Sequence, residues 1–145
     1  MNKQVRINQL RIDEGYRLDV YYDSEHYLTV GVGHLVQPGD KLNFGDLITE
    51  EQCNIFLNKD LDIAINSCIK HIKNFDLHPE QIQNELVNLI FNMGYLTFFH
   101  FKNFISALDS DQYNNAANEL KDSLWYNQVG KRGKRIVEVF KNISN

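Results

Sequence analysis

Two acidic residues near the start of the chain have the types and the surroundings that paired-carboxylate chemistry needs. Glu14 follows Ile7 and Leu10 at helical spacing and directly precedes a glycine, so it lies on the apolar stripe of a short helix, at its end. Asp23 lies at a turn between two stretches of alternating apolar and polar residues. The helix end and partial burial disfavour a charged Glu14, whereas an exposed turn leaves Asp23 ionised.

Two carboxyl groups in such unlike environments suit the cleavage of a glycosidic bond. One of them, kept protonated, donates its proton to the leaving oxygen, while the other activates a water molecule or acts as nucleophile. Thr29 lies on the strand that returns from the turn, where its hydroxyl can reach an attacking water. Spacing alone also fits a purely structural alternative, in which Glu14 pairs with an arginine and Asp23 only forms the turn.

The segment GVGHL, residues 31–35, contains two glycines but lacks the third glycine and the following helix of a dinucleotide-binding loop. We expect Gly31 and Gly33 to leave bare strand backbone that a flat sugar can approach; a strand bulge is the alternative. His34 has neither an HExxH motif nor a second histidine at metal-ligand spacing. We therefore expect it to be a hydrogen-bonding residue, and we expect no metal or other cofactor.

The bulk properties of the 145-residue chain exclude several classes of function. A net charge of −4 argues against a nucleic-acid-binding protein, and the basic run GKRGKR at 130–135 is more typical of a solvated helix start. Cys53 and Cys68 would lie about 22 Å apart on one continuous helix, too far for a disulfide, and are predicted to be core thiols. The chain shows neither a secretory signal pattern nor a long apolar run. We expect it to be made in the cytoplasm without stable membrane insertion.

Hydrophobic periodicity predicts the elements that hold these residues. A helix is expected at 3–14, a β-hairpin at 16–36, and a long helix at 50–71 that begins with a capping box formed by Thr49 and Gln52. Further helices follow to the end of the chain, the first with Pro79 in its first turn.

This order of elements predicts an α+β fold that is mostly helical, within a single domain of residues 1–145. A small β lobe is expected at 15–48 and a bridging helix at 49–71. The helical lobe is expected to combine residues 1–14 with 72–145.

Several stretches together resemble the phage lysozymes of the T-even type, glycoside hydrolase family 24. LRIDEGYRLDVYYDSEHYLTVGVGHL resembles the N-terminal signature of that family, and SLWYNQVGKRGKRIVEVF resembles its C-terminal signature. FLNKDLDIAI, LIFNMG and FHFKNF resemble its bridging helix, its central helix and the helix that follows. The resemblance covers nearly the whole chain and implies a lysozyme-like fold and a muramidase activity.

The resemblance also implies roles for single residues. Glu14 matches the catalytic general acid, Asp23 the second catalytic carboxylate, and Thr29 the threonine that helps to hold the attacking water. The implied structural supports are His34 paired with Asp60, Arg132 facing the catalytic glutamate, and Arg135 paired with Asp13.

Four positions match the substrate cleft of the family. Leu35 and Phe91 keep the familiar residues, whereas Phe104 stands in place of a serine and Glu119 in place of an asparagine. These two departures affect contacts with the substrate and leave the chemistry unchanged.

The implied substrate is bacterial peptidoglycan, cut between N-acetylmuramic acid and N-acetylglucosamine with inversion of the anomeric centre. A lytic transglycosylase acting on the same bond is the alternative, although Asp23 together with Thr29 favours hydrolysis. The implied setting is a phage endolysin, a monomer that acts on the cell wall in the periplasm. A holin-type partner would permeabilise the membrane and release it there.

Overall fold

The computed structural model describes residues 2–143, and its backbone contacts divide the chain into two compact units, Met1–Ile63 and Ala64–Asn145. The first unit holds a short helix, a small antiparallel sheet and the first part of a long helix, and the second is helical. This confirms the predicted α+β class with a mostly helical chain. The division falls within the long helix and groups residues 1–14 with the sheet, so the expected grouping of these residues with the C-terminal helices stays a prediction.

The first unit opens with helix α1, Lys3–Glu14, as the periodicity predicts. The side chain of Asn2 caps its start by accepting a hydrogen bond from the backbone N–H of Gln4 at 3.0 Å. The helix ends at Gly15, whose φ of 80° suits glycine and stops the helical path. Glu14 is therefore the last helical residue, immediately before the chain enters the sheet.

The sheet consists of β1 (Arg17–Tyr22), β2 (Leu28–Gly31) and β3 (His34–Leu35), paired antiparallel in that order. The loop between β1 and β2 contains a β-turn closed by the bond from His26 N–H to Asp23 C=O at 3.0 Å, with His26 in the left-handed conformation. A later loop segment adds to the outer edge of β1, where Ile48 N–H donates to Leu18 C=O at 2.8 Å.

The long helix α2 spans Glu50–His71 and starts with the predicted capping box. Gln52 N–H donates to Thr49 Oγ1 at 3.1 Å, and Thr49 N–H donates to Gln52 Oε1 at 2.9 Å. Cys53 and Cys68 are both buried free thiols, which confirms that they do not form a disulfide with each other.

The second unit contains the rest of the helices. They are α3 (Glu80–Met93), α4 (Tyr95–Phe98), α5 (Lys102–Asp109), α6 (Tyr113–Lys121), α7 (Leu124–Val129) and α8 (Lys131–Asn142). Helix α8 contacts α3, α6 and α7. Pro79 lies one position earlier than expected, at the N-cap of α3, and the helix begins at Glu80. None of the helices within residues 2–143 has the length and hydrophobicity to cross a bilayer.

Candidate active site

Asp23 closes the β1–β2 turn with its side chain. Its Oδ1 accepts hydrogen bonds from the backbone N–H groups of Glu25 at 2.9 Å and Tyr27 at 2.8 Å. Two N–H donors on one carboxylate oxygen fix the group in one orientation. Within residues 2–143, Asp23 Oδ2 has no hydrogen-bond partner, so this oxygen is available to a ligand.

Thr29 lies on β2 and is buried, with 4% of its surface exposed. Its hydroxyl donates to the carbonyl oxygen of Tyr27 at 2.9 Å. A hydroxyl has a single hydrogen to donate, so Thr29 Oγ1 faces any further partner as an acceptor.

Asp23 and Thr29 share one face of the sheet with Tyr21. Thr29 is the cross-strand partner of Tyr21, and partners in an antiparallel pair point to the same side. Asp23 follows Tyr21 by two residues, which returns it to that side. The strand period therefore places Asp23 and Thr29 on a common face with the phenol of Tyr21.

The carboxylates of Glu14 and Asp23 both affect the pKa of Tyr21. Burial raises the pKa of Tyr21, and the negative charges of Glu14 and Asp23 raise it further. The guanidinium of Arg17, 4.2 Å from the centre of the Tyr21 ring, lowers that pKa and does not reverse the shift. Tyr21 therefore stays protonated at neutral pH and forms a neutral surface beside the two acids.

Glu14 is half-buried and lies against the turn between β2 and β3. A Cβ built on Gly33 would meet Cδ of Glu14 at 2.9 Å, Cγ at 3.0 Å and Cβ at 3.1 Å. The glycine thus accommodates the acid side chain along its full length.

The two glycines of this segment do not together form the bare strand face that their spacing suggested. Gly31 is buried, with Cys53 Sγ at 3.1 Å from a Cβ built on it, so it offers no open backbone to a sugar. Gly33 is partly exposed, and Glu14 occupies the space that its Cβ would fill; its approach by a sugar stays a prediction. The alternative, a bulge at the two glycines, is also not where the irregularity lies. The register shift is in β1, between Arg17 and Tyr21.

His34 is buried between two carboxylates. Its Nδ1 is 2.6 Å from Asp60 Oδ2, the partner that the family resemblance implies, and its Nε2 is 2.8 Å from Asp40 Oδ2. Its ring also stacks on Phe56, with centroids 4.1 Å apart. Because both ring nitrogens face carboxylate oxygens, both are placed to donate, an arrangement that favours the cationic imidazole.

The pKa of His34 agrees with this assignment. Burial lowers the pKa, but the hydrogen bonds to Asp60 and Asp40 outweigh burial, so the pKa lies above that of an ordinary histidine. Asp40 comes from the short turn Pro38–Asp40, where its carboxylate also accepts the N–H of Gln37 at 2.8 Å. Asp40 is thus a second anchor for the segment that follows Gly33.

In the second unit, two polar pairs join α3 and α8. Arg132 is buried, and its Nε donates to Asn88 Oδ1 at 2.8 Å. Arg135 forms an ion pair with the buried Glu85. The basic run is therefore not simply a solvated helix start, because its two arginines point into polar positions of α3. The expected pairings of Arg132 with the catalytic glutamate and of Arg135 with Asp13 stay predictions.

The proposed substrate positions differ in exposure. Leu35 is 48% exposed and Phe91 is half-buried. Phe104 lies elsewhere than expected: it is 1% exposed, and its ring packs against Phe98 and Phe140. A large apolar side chain in place of a serine is drawn into the helical core, so Phe104 offers no side-chain contact to a substrate.

Glu119 is exposed and lines a polar pocket of about 390 Å³ between α5 and α6. The pocket is formed mainly by carboxamide side chains, among them Asn103, Gln112 and Asn118. Such a lining offers hydrogen-bond donors and acceptors with one negative charge.

The comparison with known families rests on most of the chain. Residues 11–138 match the phage lysozyme family, a range that includes every site residue described above. The chain belongs to the phage lysozyme family. Its activity is accordingly that of a lysozyme, a muramidase among the glycoside hydrolases.

Relatives of this lysozyme occur in phages and in a eukaryote. It is 27% identical to "Probable T4-type lysozyme 1" of Dictyostelium discoideum over 91% of each chain. It is 32% identical to an endolysin of Salmonella phage P22, over 72% of this chain and 76% of that one. It is also 30% identical to the pre-baseplate central spike protein Gp5 of Enterobacteria phage T4, over 90% of this chain and 26% of that protein.

No motif pointed to three polar residues that make the contacts described above: Asp40 in the segment after His34, and Glu85 and Asn88 on α3. The signal that could have found Glu85 and Asn88 is their spacing of three, which matches that of Arg132 and Arg135 on α8. Among residues 2–143, no group of three His, Cys, Asp or Glu side chains is arranged to hold a metal ion.

Proposed function

We propose that this lysozyme hydrolyses the β-1,4 bond between N-acetylmuramic acid and N-acetylglucosamine in bacterial peptidoglycan, with inversion at the anomeric carbon. The observation that carries the proposal is the pair of acceptors, Asp23 Oδ2 and Thr29 Oγ1, on one face of the sheet. Glu14 supplies the acid from a different element, the end of α1.

The two acceptors orient an attacking water. A water that donates one hydrogen to Asp23 and the other to Thr29 directs its lone pairs away from both, toward a sugar bound over this face. Asp23, held in place by its two backbone donors, takes one proton as the water oxygen bonds to the anomeric carbon.

Glu14 acts on the other side of the bond. It gives its proton to the glycosidic oxygen as the bond from that oxygen to the anomeric carbon breaks. The reaction leaves Asp23 protonated and Glu14 ionised, and exchange with solvent restores both. Water has then added across the bond, which yields a new reducing end and a free hydroxyl group.

Substrate contacts are proposed for Leu35, Phe91 and Glu119. Leu35 offers an exposed apolar side chain directly after His34, and Phe91 offers a half-exposed ring. The pocket beside Glu119 has amide groups suited to the polar N-acetyl and peptide groups of peptidoglycan.

The primary test is the clearing of a peptidoglycan suspension, followed by turbidity. The wild type should clear it, and Glu14→Gln should not, because a carboxamide is far too weak an acid to protonate the leaving oxygen. Glu138→Gln makes the same chemical change at an exposed residue of α8 and should keep full activity. Clearing by Glu14→Gln at the wild-type rate would refute the proposed acid.

The chemistry of the products tests the remaining details. Hydrolysis gives reducing ends, whereas a lytic transglycosylase gives 1,6-anhydro ends that are lighter by one water. Proton NMR of the first product should show the anomer opposite to that of the β-linked substrate. Anhydro ends would favour the transglycosylase, and a retained β-anomer would exclude inversion.

We infer a biological role as an endolysin that causes lysis of a bacterial host, a role supported by the similarity to phage endolysins. Made in the cytoplasm, the lysozyme would act on the wall after a holin-type partner opens the membrane. Expression in a bacterium should leave cells intact until a holin or chloroform is added, and Glu14→Gln cells should then remain unlysed. Sedimentation of the purified protein should give the mass of a monomer.

A further inference from the structure

We propose that Gly33 is a positioning residue for the general acid, holding the side chain of Glu14 in the slot that its missing Cβ leaves open. The proposal rests on the proposed role of Glu14 and adds a determinant outside the proposed catalytic residues. Gly33 acts through Glu14 and need not touch the substrate.

The contact involves the whole acid side chain. The position that a Cβ of residue 33 would occupy is 2.9 Å from Cδ, 3.0 Å from Cγ and 3.1 Å from Cβ of Glu14. Real Cβ atoms essentially never approach another heavy atom below 3.0 Å, so a side chain at this position and the present path of Glu14 exclude one another. The carboxyl carbon makes the closest approach, so the reacting end of the acid would be displaced most.

The turn that carries Gly33 is itself held firmly. His34, the next residue, is fixed through both ring nitrogens by Asp60 and Asp40. Val32, on the other side, is buried with 1% of its surface exposed. A clash at residue 33 is therefore relieved most easily by the side chain of Glu14, which is half-buried at the end of its helix.

Gly33 meets two requirements that experiment can separate. Its φ of +64° disfavours any other residue, and its surface is occupied by Glu14. Gly45 has a φ of +86° with nothing within 4 Å of a Cβ built on it. Gly45→Ala therefore carries the backbone cost alone, whereas Gly33→Ala carries that cost together with the contact.

The kinetic test compares these two variants on peptidoglycan and on a soluble glycan fragment. Gly33→Ala should lower kcat by about 100-fold, the effect of moving a reacting group by about 1 Å, while KM changes by less than about twofold. Gly45→Ala should keep the wild-type kcat. A wild-type kcat for folded Gly33→Ala would overturn the proposal, and so would a loss confined to KM.

A folding test is independent of catalysis. In urea denaturation, Gly33→Ala should shift the midpoint strongly in the wild-type background and less in Glu14→Ala, which removes the two atoms of closest approach. Gly45→Ala should shift it equally in both backgrounds. If Gly33→Ala does not fold, recovery of folding in the double variant supports the contact. Equal shifts in both backgrounds, or two unfolded chains, would overturn it.

These tests distinguish the positioning role from the proposed function. If Glu14→Gln is active, Glu14 is not the general acid, whatever the activity of Gly33→Ala. An inactive Glu14→Gln with fully active Gly33→Ala keeps the acid and rejects Gly33 as its positioning residue.

Discussion

Thr29 donates its hydroxyl hydrogen to the carbonyl oxygen of Tyr27 at 2.9 Å, which fixes how its oxygen can act. The hydrogen is used within the strand, so the oxygen meets a water molecule as an acceptor. In the proposed mechanism, Thr29 and Asp23 therefore both accept a hydrogen bond from the attacking water.

Replacing Thr29 tests this acceptor. Thr29→Val keeps the shape of the side chain but removes the oxygen, and kcat should fall by about 10- to 100-fold because the water loses one of its two anchors. Thr29→Ser keeps the oxygen and should retain most of the activity. Steady-state kinetics on a soluble glycan measure both, and equal rates for the serine and valine variants would count against a role for the hydroxyl.

Asp23 has two functions that different substitutions separate. Asp23→Asn keeps an oxygen for the N–H groups of Glu25 and Tyr27, so the fold should persist while kcat falls by about 10²- to 10⁴-fold through loss of the base. Asp23→Ala should be equally inactive and also less stable, by about 1–3 kcal/mol, because two turn donors lose their acceptor. Urea denaturation measures the difference, and equal stability of the two variants would contradict the turn-closing role.

The two carboxylates around His34 predict a stability that depends on pH. The pKa of His34 is raised in the folded protein. The stability that His34 contributes is therefore complete below its unfolded pKa of about 6.5 and is lost as pH rises through its folded pKa. The pKa of Asp40 is lowered: burial opposes the shift, but the bonds from Gln37 and His34 exceed it. The stability that Asp40 contributes is complete above about pH 4 and is lost as pH falls through its folded pKa.

Asp40→Asn should therefore cost the most stability at about pH 5–6, by about 1–3 kcal/mol, and less at strongly alkaline pH, where His34 is neutral. Asp62→Asn removes the same charge from an exposed ion pair with Lys3 and should cost under about 1 kcal/mol. Denaturation curves across pH measure both variants. A cost of Asp40→Asn that is the same at every pH would show that His34 is not charged.

Replacing Tyr113 should lower the free energy of unfolding. Its hydroxyl lies 2.6 Å from Nδ1 of the buried His78, so Tyr113→Phe should cost about 1–3 kcal/mol by leaving that nitrogen without its partner. Tyr95→Phe removes a phenol that is 40% exposed and should cost little. Thermal denaturation compares them, and the activity of both should match the wild type.

The phenol of Tyr113 also makes the stability depend on pH in the alkaline range. Burial, followed by the charge of Asp111 and the hydrogen bond to it, raises the pKa of Tyr113 to about 12. The folded pKa lies above the ordinary value of about 10, so the stability it contributes is complete below about pH 10 and is lost as pH rises toward 12. The difference between wild type and Tyr113→Phe should shrink over this range, and a constant difference would argue against the shift.

Local signals predicted the elements well. The bounds of α1 and α2 follow from Gly15 and from the Thr49–Gln52 capping box, because such signals act through neighbouring backbone groups. Pro79 was misplaced by one position, since a proline fits both the N-cap and the first turn, where no helical N–H is needed.

Tertiary contacts limited the prediction of the site. Period two placed Asp23 and Thr29 correctly on the hairpin, but no pattern reveals which atoms lie against a glycine. The burial of Gly31 against Cys53 and the packing of Glu14 on Gly33 were therefore not predicted. Phe104 was assigned to the substrate by position in the family, whereas its size draws it into the core. Asp40 was missed because its role depends on how the loop folds back onto His34, which no sequence motif signals.

The four-residue turn that ends at His26 has a consequence for how the site assembles. Asp23 and Thr29 are brought together by contacts that are local in sequence, and hairpins of this kind close within about 1–10 μs. Glu14 meets Gly33 only after the hairpin has docked on α1, a slower step because it joins separate elements. The water-orienting half of the site should therefore form early in folding, and enzymatic competence should appear only when the acid arrives.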